Sequence, residues 1–180
     1  MNAGNEIKLT FIELAENLLD KDKIDDFLDF INFTKEHSLI KSSLFTSRSW
    51  KSYGRMIHYK KVKIGALCLY SIKRSKPDGS WCFFPDSKFF YEYNKCITDE
   101  KMKEFVINSM NYIKCRGCNG SQCMNGREDL TGEWKMPLFG KDFINVCSGM
   151  PLMIISPSGD DLELTKQLVL LTKDILQLNS

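Results

Sequence analysis

The chain has 180 residues, 43% hydrophobic and 27% charged, with a net charge of +2. That length suits one domain with a sizeable core, the balance is ordinary for a globular protein, and the 12% aromatic content argues against disorder. No apolar run approaches the ~20 residues needed to cross a bilayer.

The start, Met1 to Glu6, has no basic region leading into an apolar stretch, so no secretory signal is expected and cytoplasmic residence is the default. Seven cysteines are an odd count for a disulfide scaffold, and reduced thiols or a metal site fit better. Charge is uneven along the chain. Residues 1–36 carry nine acids and four lysines, a local net of −5, whereas residues 38–77 carry ten bases and no acid. The two segments are expected to face each other or to remain solvated.

Two helices are predicted in the first forty residues. Thr10 and Glu13 form a capping-box pattern, and Phe11, Leu14, Ala15, Leu18 and Leu19 recur at helical spacing. Asp20 or Asp22 is placed to cap the second helix, whose apolar stripe is Ile24, Phe27, Leu28 and Ile31, widened by Phe30 and Phe33. Residues 38–47 read as a loop. Strands are expected over 50–58 and 62–72. The second alternates Val62, Ile64, Ala66, Cys68, Tyr70 and Ile72 on one face and adds Leu67 and Leu69 on the other, which marks it as central. Trp81–Phe84 reads as a third strand stopped by Pro85, and 89–93 as a fourth.

A third helix is expected from Thr98-Asp99-Glu100 to near Cys115. Residues 115–133 are polar and glycine-rich. Short strands follow at 134–139, 142–147 and 151–156, and a last helix, capped by Ser158 or Asp160, runs to about Leu178 with Leu164, Leu168, Leu171 and Ile175 as its stripe. This order, without βαβα alternation, predicts an α+β fold: two layers, a mainly antiparallel sheet covered by helices, with a cysteine-bearing loop. One domain over 1–180 is expected, with 115–147 as a metal-binding insertion inside it.

The chemistry-bearing pattern is C-x2-C-x4-C at Cys115, Cys118 and Cys123, followed after 23 residues by Cys147. Two cysteines spaced by two residues can aim both sulfurs at one ion across a tight turn. A third from the same loop and a fourth from a distant strand complete a tetrahedron. Structural zinc is the leading cofactor expectation; an iron–sulfur cluster and reduced thiols are the alternatives. A redox dithiol of Cys115 and Cys118, the route to an enzyme, is disfavoured by their place after a helix C-terminus, where the dipole raises a thiol pKa. Cys68 and Cys82 read as core residues.

Two further candidates come from aromatic and basic residues. Trp50, Tyr53, Trp81 and Phe83 could line a pocket for an apolar ligand. Lys51, Arg55, Lys60, Lys61 and Lys63, interleaved with aromatics, could contact nucleic acid. No hydrolase, P-loop or dinucleotide motif is present, and no catalytic residue is assigned. The expectation is a ligand-binding or regulatory module whose partner is a small molecule or protein, with no membrane.

The paired N-terminal helices, the run Trp50-Lys51-Ser52-Tyr53 leading into Val62-Lys63-Ile64, and the closing strand Leu152 to Ile155 with its helix together resemble the uncharacterised YdhG-like family of small intracellular α/β proteins. The resemblance covers most of the chain in layout. It implies a sheet-and-helix domain with a metal-handling or ligand-binding role, and carries over no catalytic residue. The cysteine loop departs from that layout.

Overall fold

The computed structural model describes residues 10–41, 43–47, 52–70, 79–111, 135–144, 146 and 150–178. Helices α1 (Phe11–Leu18) and α2 (Lys21–Glu36) open the described chain. Strands β1 (Ile40–Lys41), β2 (Phe45–Ser47), β3 (Ser52–Tyr59), β4 (Val62–Tyr70) and β5 (Trp81–Pro85) follow. A 3-10 turn (Ser87–Phe89) leads into α3 (Phe90–Cys96) and α4 (Glu100–Asn108). The hairpin β6 (Lys135–Leu138) and β7 (Lys141–Ile144), then β8 (Ile154–Ile155) and α5 (Gly159–Leu178), complete it. The main sheet runs β1-β3-β4-β5-β8 with β2 also on β3, and every described pairing is antiparallel. The α+β expectation, with helices on an antiparallel sheet, is what the chain adopts.

The capping box forms as the sequence indicates. Glu13 N–H donates to Thr10 Oγ1, and Thr10 N–H donates to the Glu13 carboxylate at 2.6 Å. Asp20 takes the cap position of α2, but its side chain makes no cap bond and pairs with Lys23 instead. The end of α2 is a tight double closure: Ser38 N–H donates to Lys35 C=O and Leu39 N–H to Thr34 C=O. Ser38 supplies the left-handed residue, φ 57°, that this closure needs, a place glycine usually fills. The consequence for packing is that Leu39 is turned inward, 4% exposed.

Strand β4 is central, as its two apolar faces predict, but its alternation is interrupted. His58 pairs with Lys63 and Ile57 with Gly65, so β4 carries one extra residue, Ile64. The bulge flips the parity. Val62 and Ile64 therefore share the helix-side core with Leu67 and Leu69, while Ala66, Cys68 and Tyr70 join Cys82 and Phe84 in a second cluster. The expected single row from Val62 to Tyr70 is thus split between the two sides. The main core gathers Phe27, Phe30, Trp81 and Phe83, with Phe30 tilted on both Trp81 and Phe83 at 5.4 Å.

Four other expectations need correction. Residues 38–47 hold the short strands β1 and β2, which exist through pairing with β3 rather than through any pattern of their own. Residues 89–93 are helical, because the chain reverses after Pro85 and Asp86 caps the turn by accepting from Lys88 N–H. Helix α4 stops at Asn108 rather than near 115, because Ser109 to Asn111 bond to Met150 to Met153 instead. The apolar run 151–156 is correspondingly divided between a bridge of Leu152 with Met110 and β8 on β5. No helix among the described residues is long and apolar enough to cross a membrane.

Candidate functional site

A cleft of ≈ 310 Å³ opens between the first turn of α1, the C-terminal half of α2 and β3. Three chain segments meet there. The capping box fixes where α1 starts, and so presents Thr10, Phe11 and Ile12. The helical stripe of α2 supplies Ile31 and, one turn later, Lys35, while the closure after α2 returns Leu39 to the same wall. Strand β3 contributes Arg55, on the same side as Ile57 and therefore toward the helices.

The lining is apolar at its base and cationic above. Phe11, Ile31 and Leu39 are buried at 4%, 2% and 4% exposure. The Arg55 guanidinium lies 5.5 Å from the centre of the Phe11 ring, an arrangement in which ring face and cation attract. Arg55 Nε is buried and has no hydrogen-bond partner among the described residues. Among the described residues Lys35 reaches only Asn32 Oδ1, at 3.4 Å. Neither cation forms an ion pair among the described residues, unlike Lys23 with Asp20, Lys63 with Asp86 and Lys166 with Asp29. Among the described residues the lining includes no histidine, cysteine or carboxylate. Such a surface can hold an anion and an apolar body.

The residues singled out by the sequence fall in different places. Cys115, Cys118, Cys123 and Cys147 lie outside the described residues, as do Trp50 and Lys51. Among the described residues no group of three or more histidine, cysteine, aspartate or glutamate side chains could hold a metal ion. Trp81 and Phe83, named as pocket aromatics, are 0% and 1% exposed and packed on Phe27 and Phe30 rather than lining the cleft. Trp81 Nε1 is a second buried donor with no partner among the described residues. Tyr53, half-buried, stands two residues before Arg55 on the same side of β3.

The basic residues of β3 and β4 do not share one face. Arg55 turns to the helices, Lys60 and Lys61 sit in the exposed hairpin turn with Lys60 over Tyr59, and Lys63 pairs with Asp86 at 2.8 Å. Asp29 of α2 pairs with Lys166 of α5, whose ammonium lies 2.8 Å from its carboxylate. Asp26 has a raised pKa because partial burial, and then Asp29 and Asp25, disfavour its charge.

The cysteines that are described behave as core. Cys68 and Cys82 are directly opposed on β4 and β5 and both buried. Burial pushes the Cys68 thiol up to about 12, and the Cys82 thiol is raised by burial and then by Cys68. Neither is a ready nucleophile at neutral pH. Cys96, at the end of α3, is exposed.

The cleft is the feature sequence reasoning missed. Its residues come from positions 10–12, 31–39 and 55, and no local pattern announces that they converge. The usable signals were the capping box and a lone arginine on an otherwise apolar strand face. No family model, curated protein or solved structure matches the chain.

Proposed function

We propose that this chain is a ligand-binding module whose site is the cleft between α1, α2 and β3. One observation carries the reading. Arg55, a strongly hydrogen-bonding side chain, is held over an apolar-walled cleft with its Nε buried and unpartnered among the described residues. Buried polar groups in folded proteins are nearly always paired, and exceptions concentrate at functional sites. The cleft volume lies at the lower end of small-molecule pockets. Among the described residues its lining has no histidine, cysteine or carboxylate, which favours binding over catalysis there.

The test is an amide-resolved spectrum of the labelled protein titrated with a library of small organic fragments. Binders should move the amide signals of Thr10, Ile12 and Leu39. Ile12→Trp, at a partly exposed position, should fill the cleft and abolish those shifts while leaving the spectrum folded. Fragments that bind equally well to the Trp variant would argue against this site.

A second reading concerns a metal. The spacing of Cys115, Cys118 and Cys123 with Cys147 supports a structural zinc held by four thiolates. Elemental analysis of natively purified protein tests it. One equivalent of zinc, lost with stability in Cys118→Ser, is the expected result; metal-free protein with an unaltered Cys118→Ser variant opposes it.

A further inference from the structure

We infer that the ligand of the cleft is a small organic monoanion, a carboxylate on a short apolar body. The inference rests on the binding role proposed for the cleft and adds the chemical class of its ligand. Arg55 and Lys35 are two cations on one lining, and neither has an ion pair among the described residues. An anion entering the cleft is attracted to both, more strongly where the apolar walls exclude water. The terminal N–H groups of a guanidinium form a planar pair that matches the two oxygens of a carboxylate.

The surroundings narrow the choice further. The acid nearest in sequence to the cleft's first turn, Glu13, is engaged by Thr10 N–H in the capping box, and no carboxylate among the described residues lines the cleft. The N–H groups of Phe11 and Ile12 begin α1 and have no acceptor inside the helix, so the first turn adds donors rather than acceptors at this wall. Phe11, Ile31 and Leu39 supply apolar surface for a hydrocarbon portion. A phosphate or polyphosphate would call for several basic groups or a glycine-rich cradle of backbone donors. Among the described residues the lining has one guanidinium and one ammonium, and no glycine. A cleft of ≈ 310 Å³ also limits the apolar part to a short chain or single ring.

The experiment titrates the full chain with straight-chain carboxylates from acetate to octanoate, and with the alcohols and primary amines of equal length, following the amides of Thr10, Ile12 and Leu39. The carboxylates are expected to bind, the alcohols at least about tenfold more weakly, consistent with loss of a charged hydrogen bond, and the amines not at all. Arg55→Gln should weaken the best carboxylate about 10- to 100-fold, and Lys35→Gln about two- to fivefold, as for a more exposed charge. Arg55→Lys keeps the charge without the fork and should fall between wild type and Arg55→Gln, which separates lost recognition from a damaged fold. Alcohols binding as well as carboxylates, at the same amides, would overturn the anion assignment and leave the cleft a binding site. Carboxylate affinity unchanged in Arg55→Gln would overturn it as well. Failure of every compound to move those amides would remove both the assignment and the binding role.

Discussion

Replacing Arg55 with methionine should stabilise the protein while abolishing anion binding. Methionine keeps an unbranched apolar stem against Phe11 and deletes the orphaned Nε–H. A buried donor without an acceptor costs about 1–3 kcal/mol. The substitution also gives up the guanidinium's attraction to the Phe11 ring, about 0.5–1 kcal/mol for a partly exposed pair. The difference leaves a net gain of about 1 kcal/mol, or a rise in Tm of about 2–4 °C for a chain of this size. Urea unfolding of both proteins, compared at equal slope, measures it directly. A loss of about 2 kcal/mol, the cost of breaking a satisfied charged hydrogen bond, would show that Arg55 is a structural residue and refute the reasoning.

Three other outcomes follow from the packing. Thr172 Oγ1 donates to Leu168 C=O, so the buried 2.7 Å contact with Tyr93 has the Tyr93 hydroxyl as donor; Tyr93→Phe should cost about 1 kcal/mol and Thr172→Val about 2, with the double variant less unstable than their sum in urea unfolding. Stability should fall as pH rises above the ordinary thiol value of 9.0 and toward about 12, because the unfolded chain releases the Cys68 proton earlier than the folded one; Cys82 acts in the same direction, each by up to about 1.4 kcal/mol per pH unit, and Cys68→Ala should flatten the decline in a pH series of unfolding curves. Gly65→Ala would set a methyl 2.7 Å from the Phe84 carbonyl oxygen and 2.6 Å from the Phe83 ring, and should cost about 2 kcal/mol or more in the same assay.

The start of helix α1 was readable to the residue because its capping box is a local device, with partners three positions apart. The centrality of β4 was readable for a similar reason, since both of its faces are apolar. The bulge at Ile64 was not, because alternation from Val62 to Tyr70 looks unbroken until the pairing with β3 is known. The stretch 89–93 misled because aromatic residues favour strands on average, while the Asp86 cap and the burial of Phe89, Phe90 and Tyr93 against the core decide for helix. The cleft lies at the far end of this scale. Its lining joins a helix start, a helix end and a strand through tertiary packing alone, and nothing local in the sequence separates Arg55, which faces the helices, from Lys60 in the hairpin turn or Lys63 paired with Asp86.

The most direct measurement is the side-chain Nε–H signal of Arg55 in a nitrogen-correlated spectrum, assigned by its loss in Arg55→Lys. In the free protein it should exchange slowly with solvent, and added hexanoate should move it downfield in step with the Thr10 and Ile12 amides. A signal that exchanges as fast as an exposed arginine's, and that stays in place through saturating carboxylate, would contradict the account.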